Sequence, residues 1–181
     1  MSRIGNAIIN IPAGVTVEAK DNVITVKGPK GTLTQSYDPI ITLNIEGATV
    51  RLTRANDLGP TKAKHGLYRA LCANMIRGVT EGFKKSLIVN GVGWKVAKQG
   101  KKVVMNIGFS HPVEIEEIEG ITLDCPAQNE ITVNGIDKEK VGQFAAMVRG
   151  YRELEPYHGY GIRYSDEVIE RKVGKAAGGK G

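Results

Sequence analysis

Two stretches of this chain repeat one pattern. TKAKHGLYRAL at residues 61–71 and DKEKVGQFAAM at residues 137–147 both read x-K-x-K-x-G-x-[YF]-x-A-[LM], an offset of 76 residues. Upstream, IEGATV (45–50) matches IEGITL (118–123) at an offset of 73. Ordered matches at a nearly constant offset are the mark of one supersecondary unit used twice. A chain of 181 residues then divides into two small modules.

Each half alternates strand and helix patterns in the same way. Val15, Val17, Ala19, Val23, Ile24 and Val26 alternate with polar residues, broken at Asp21-Asn22 and at Gly28-Pro29-Lys30-Gly31. Residues 41–45 and 49–53 form a further strand pair around Glu46-Gly47. The connections are too short for parallel crossovers, so the sheets are predicted antiparallel. Over residues 61–79 the period changes. Leu67, Tyr68, Leu71, Cys72, Met75, Ile76 and Val79 recur at three- and four-residue steps, the apolar face of a helix, and Pro60 stands at its start. Strands are then predicted over 87–96 and 102–109 around a Gln99-Gly100 turn, and at 113–116, 120–123 and 131–133. A second helical stripe runs through Val141, Phe144, Ala145, Val148 and Tyr151, with Asp137 at the N-cap. The fold class is α+β: two similar modules from an internal duplication, each a small, mostly antiparallel sheet with one packed helix, plus an extended basic C-terminal tail. The predicted boundaries are 1–82, 83–155 and a tail of 156–181.

Charge is segregated along the chain. From Arg51 to Lys102 there are twelve lysines and arginines against two acids; from Val103 to Asp137 there are seven acids and no lysine or arginine. Such blocks point to one surface turned towards a polyanion and another turned away from it. The net charge of +6 and pI of about 9.3 are modest for a nucleic-acid binder, and the distribution of the charge matters more than its size. Lys84, Lys85, Lys95, Lys98, Lys101 and Lys102 surround two strands and their turn. Trp94, the one tryptophan, sits beside Lys95. Two readings of it stand, core packing and surface contact. Ser110, His111 and Pro112 follow a strand in a turn, where His111 is either a plain turn residue or a contact.

Catalytic and metal-binding patterns are not found. GVGWK at 91–95 lacks the third glycine of a dinucleotide loop, because Val96 stands there. GPKGT at 28–32 is explained by turn chemistry. His65, His111 and His158 are scattered singly, and Cys72 and Cys125 are far apart, so neither a zinc site nor a disulfide framework is expected. The acids at 114, 116, 117 and 119 form an exposed run rather than a pair in a pocket. No G-x-S-x-G elbow occurs. The expectation is a reduced, cytoplasmic protein with no enzyme activity, no cofactor, no small-molecule substrate, no membrane span and no secretory signal.

The segment EPYHGYGIRYSDEVIERKVGK, residues 155–175, carries three tyrosines, a histidine and two glycines before its charged end. Gly159 and Gly161 let a backbone approach closely. Tyr157, His158, Tyr160 and Tyr164 suit base stacking, and Arg163 suits phosphate pairing or stacking. Arg171, Lys172, Lys175 and Lys180 add positive charge. These features predict an RNA-contacting tail that orders on its partner and is dispensable for folding the core.

Several of these motifs together resemble a known family. EPYHGYGIRYSDE is similar to the P-Y-K-G-K-G-[IV]-[RK]-Y-x-x-E signature of bacterial large-subunit ribosomal protein six. So are NGVGWKV, NIGFSHPV, the run I-x-V-x-G-I-D-K-x-x-V-G-Q-x-A-A, the start MSRIGNAIINIPAGV, and VKGPKG. The resemblance spans essentially the whole chain. It implies two similar α+β modules and a structural, non-catalytic role in the ribosome. It also implies contact with large-subunit rRNA near the sarcin–ricin loop and the stalk base, beside neighbouring ribosomal proteins. By matching motif positions, it implies that Ser110, His111, Pro112 and residues 157–164 face rRNA. The chain departs from the signature where His158 and Tyr160 replace lysines, which removes two phosphate-directed charges near neutral pH. The rival reading of the charge pattern is a free module that binds RNA or single-stranded DNA outside any particle.

Overall fold

A computed structural model describes residues 3–175, which fall into two compact units. The first comprises residues up to Phe83 together with Ile136–Lys138, and the second comprises Lys84–Gly135 and the chain from Glu139 onward. Residues 176–181, including Lys180, lie outside the described residues.

The first unit holds β1 (Ile9–Asn10), β2 (Thr16–Lys20), β3 (Val23–Gly28), β4 (Gly31–Ser36), β5 (Ile41–Glu46), β6 (Thr49–Arg54) and α1 (Gly59–Thr80). Its strands make two three-stranded antiparallel sheets, in orders β2-β3-β4 and β1-β6-β5. Tight reversals fall at the expected turns: Asp21 and Asn22 both take positive φ between β2 and β3, and Gly47 has φ +57 between β5 and β6. Ile24, Val26, Val50, Leu52, Cys72 and Val79 fill the core. Burial pushes the Cys72 thiol up to about 11, which suits a packing residue rather than a nucleophile.

Helix α1 buries or half-buries the predicted stripe except at Leu67. Leu67 is exposed, while Thr61 and His65 are buried beside Cys72, Met75, Ile76 and Val79. The reason is chemical: His65 reaches the Leu52 carbonyl through Nε2 (2.9 Å) and Arg54 through Nδ1 (2.9 Å), so burial costs it no hydrogen bond.

The second unit holds β7 (Phe83–Asn90), β8 (Lys95–Gln99), β9 (Lys102–Asn106), β10 (Val113–Glu116), β11 (Ile121–Ala127), β12 (Glu130–Gly135), α2 (Lys138–Gly150) and β13 (Gly161–Tyr164); the first residue of β7 and the first of α2 count with the first unit. The strands form a four-stranded sheet, β11-β12-β7-β13, and a three-stranded one, β10-β9-β8. Val141, Phe144, Ala145 and Val148 of α2 are buried as the stripe predicts, whereas Tyr151, its last member, lies beyond the helix and is exposed. The expected long strand over 87–96 is two strands. Gly91–Trp94 interrupts it as a turn, closed by the Trp94 N–H on the Gly91 carbonyl, with Gly93 at φ +75.

One of the two repeat matches is structural and the other is coincidental. The 61–71 and 137–147 segments both lie in the helix that follows the last sheet hairpin of a unit. IEGATV, however, spans the β5–β6 reversal, whereas IEGITL leads into β11, one strand earlier in its unit.

The tail is not wholly extended: part of it belongs to the sheet of the second unit. Gly161–Tyr164 is β13, paired antiparallel with β7 from Gly161↔Asn90 to Tyr164↔Leu87. Ile162 is wholly buried. A four-residue strand amid glycines is too short for its alternation to stand out in the sequence.

Candidate nucleic-acid interface

Three turns of the second unit meet at the Asn90 end of β7: Gly91–Trp94, residues 107–112 and the connection from Tyr151 to Tyr160. Ladder pairing of Gly161 with Asn90 brings the last of these to the end of the strand. The connection is tied down by main-chain bonds, from Ile162 N to Arg152 O (2.9 Å), Glu155 N to Tyr160 O (2.8 Å) and Gly159 N to Glu155 O (3.0 Å). The Asn90 side-chain amide donates to the Gly159 carbonyl at 2.9 Å. Lys172 N donates to Pro156 O (2.9 Å), so the chain returns over the same turn. Gly161 has to be glycine: at φ +139 an added Cβ would sit 2.6 Å from the Glu153 carbonyl oxygen.

Aromatic rings line this region. Trp94 is half-buried, its indole pressed on backbone: a Cβ on Gly91 would lie 2.2 Å from the ring. Phe109 stacks with His111 (centroids 6.4 Å, 19° between planes), and Ser110, His111 and Pro112 are exposed. His158 stacks with Tyr160 (5.4 Å, 12°), and Glu155 accepts from His158 Nδ1 at 3.0 Å. Tyr157 is exposed and Gly159 buried. Arg152, which no sequence motif marks, puts its guanidinium over both Trp94 (5.8 Å) and Phe109 (5.1 Å). Its only sequence signal is that it lies just beyond the helical stripe.

The lysines and arginines divide by how their charge is spent. Lys84 and Lys85 are neighbours in a strand and point to opposite faces. Lys85 lies over the Tyr164 ring (4.7 Å) and pairs with Asp166 (3.0 Å). Lys84 shares a shallow depression with Lys98, Asp124 and Cys125. Lys98 is committed internally, to the Leu123 carbonyl, Glu117 (3.2 Å) and Asp124 (3.3 Å); hydrogen bonding to Glu117 raises its pKa above the ordinary lysine value. Lys102 lies opposite Glu116 in the β9–β10 ladder and pairs with it at 2.9 Å, and with Glu114 at 3.4 Å. The basic and acidic blocks are therefore not segregated in space here, because antiparallel pairing folds one onto the other. Arg163 donates to the Tyr164 and Glu167 carbonyls (3.3 and 3.1 Å), and Arg149 forks onto Glu167 (3.1 and 2.6 Å). Lys84, Lys95, Arg171 and Lys175 have no acidic partner among the described residues. The Arg171 Nε lies 3.3 Å from where a Gly159 Cβ would stand, so Arg171 sits on the Glu155–Tyr160 turn.

Among the described residues no cluster of His, Cys, Asp and Glu could hold a metal ion, and no helix is long and apolar enough to cross a membrane.

A family model described as ribosomal protein L6 matches the chain in two segments, residues 11–82 and 90–165. The chain belongs to the ribosomal protein L6 family. The two matched segments correspond to the two units. The chain is similar to the large ribosomal subunit protein uL6 of Mesoplasma florum, 55% identical over 179 residues that cover 98% of this chain and 99% of the relative. It is 55% identical to the protein of that name from Caldicellulosiruptor bescii over 181 residues (99% and 100% covered). For the one from Streptococcus mutans the identity is 55% over 175 residues (97% and 98% covered). Membership in the L6 family makes this a ribosomal protein and not an enzyme.

Proposed function

We propose that this chain is a structural constituent of the large ribosomal subunit in the bacterial cytoplasm. It binds the large-subunit (23S) rRNA near the sarcin–ricin loop and the stalk base, beside neighbouring ribosomal proteins, and supports the tertiary structure of that RNA in translation. The observation that carries the RNA-binding part is the set of three turns that meet at the Asn90 end of β7. They present Trp94, Phe109, His111, Tyr157, His158 and Tyr160 together with cations free of internal acids. Stacking surfaces and unspent positive charge are the two things an RNA strand requires of a protein. Ser110, His111, Pro112, Trp94, Lys84, Lys95, Tyr157 to Gly161, Arg171, Lys172 and Lys175 are the proposed contacts. Lys85, Lys98, Arg163 and Tyr164 serve the fold first, because their charge or ring is already engaged.

Sedimentation of a cell lysate through a high-salt gradient tests the reading. Comigration with the large subunit at a near one-to-one ratio is expected. A chain that stays at the top of the gradient overturns it in favour of a free RNA-binding module.

A further inference from the structure

We infer that Arg152 is a phosphate-binding residue of the rRNA interface, held in its working geometry by Trp94 and Phe109. The inference rests on the rRNA-binding reading above and adds a contact that the sequence motifs do not mark.

Both rings beside the guanidinium have further neighbours. Trp94 lies against Gly91 on one side, and a Cβ on Gly108 (φ +80) would come within 3.1 Å of its Nε1. Phe109 stacks with His111. The main chain of Arg152 is tied down, since its carbonyl accepts from the N–H of Ile162, a wholly buried residue. A guanidinium packed over aromatic rings engages its planar face, and its N–H donors run outward in the plane. Among the described residues no carboxylate or carbonyl takes those donors. Arg149 and Arg163 of the same unit spend theirs on Glu167 and on the Tyr164 and Glu167 carbonyls. Glu114, the acid that lines the shallow depression beside Phe109, His111, Pro112 and Tyr151, is directed to Lys102 at 3.4 Å.

Arg152 thus carries a full charge and an open donor edge in a restrained orientation. A tetrahedral oxyanion with two adjacent oxygens is what such a fork matches, and in RNA that group is the backbone phosphate. Restraint by the rings removes part of the rotamer freedom that a free arginine would lose on binding.

The test is binding of the full chain to a large-subunit rRNA transcript across a salt series. For Arg152→Gln we expect weaker binding and a slope of log K against log salt shallower by about 0.7–0.9, the value for one lost phosphate contact. Lys102→Gln removes the same charge from a residue already paired with two acids and is expected to keep the wild-type slope. Arg152→Lys keeps the charge over the rings and loses the fork, so it should keep the slope and bind several-fold more weakly. Tryptophan fluorescence matching the wild type shows that the Trp94 turn is intact, and if the glutamine variant disturbs it the lysine variant decides. A wild-type slope and affinity in Arg152→Gln, or wild-type affinity in Arg152→Lys, overturns the inference while the rRNA-binding reading stands. A wild-type chain that does not bind the transcript overturns both.

Discussion

The side-chain amide of Asn90 donates to the carbonyl of Gly159, 69 residues later, at 2.9 Å. That bond joins the end of β7 to the glycine–tyrosine turn, in a unit whose sheet is completed by β13. The motif that looked most like a loose tail is thereby part of the folded body.

Removal of residues 156–181 is therefore expected to destabilise the second unit as well as to weaken RNA binding. Ile162→Ala isolates the folding part: truncation of this fully buried side chain should cost about 2–5 kcal/mol. Urea unfolding checks it, and an unchanged midpoint would contradict the placement of β13.

The Trp94 turn depends on the absence of a side chain at Gly91. In Gly91→Ala the new methyl would meet the indole at 2.2 Å, so the ring has to move. The expected result is a red-shifted tryptophan emission, a loss of about 1–3 kcal/mol and reduced affinity for rRNA. Trp94 is the single tryptophan, so its emission reports this turn alone.

Stacking and charge at the interface should separate in a salt series. His158 and Tyr160 form a stacked pair, with His158 already bonded to Glu155. Tyr160→Ala is expected to lower rRNA affinity by about 1–3 kcal/mol without changing the salt slope, because no counterion is released by a neutral ring. Placing lysine at both positions should steepen the slope. A shallower slope in the alanine variant would refute the stacking role.

The pair Arg149–Glu167 predicts a pH dependence. Hydrogen bonding from Arg149 holds the Glu167 carboxyl below the ordinary glutamate range. A group with a depressed folded-state value contributes stability that is fully present above its unfolded value, about 4.3, and is lost as pH falls through the lower folded value. Stability should therefore decline below about pH 4, the ordinary range. Glu167→Gln should be less stable near neutrality and show a flatter acid decline, measured by thermal unfolding across pH.

His65 supports the first unit. Arg54 can only donate, so Nδ1 accepts from it and Nε2 carries the proton to the Leu52 carbonyl. His65→Leu keeps the volume and strands that carbonyl, at a cost of about 1–3 kcal/mol. A neutral substitution, read by urea unfolding, would show that the carbonyl finds another donor.

What the sequence determined by itself is what short-range patterning encodes. Alternation and three-to-four-residue steps follow from strand and helix geometry, so the antiparallel pairs, both helices and the α2 core face were legible from neighbouring residues. The helix match at an offset of 76 residues revealed the two units. What tertiary structure alone decided depends on partners far apart in the chain. It turned Leu67 outward by giving His65 the Leu52 carbonyl, and it made a strand of Gly161–Tyr164 by pairing it with β7. It also spent Lys98 and Lys102 on acids while leaving Arg152 open between two rings. The composition of a segment counts its charges, but whether a charge is available to RNA is settled by which acid the fold places within 4 Å of it, and no local pattern carries that information.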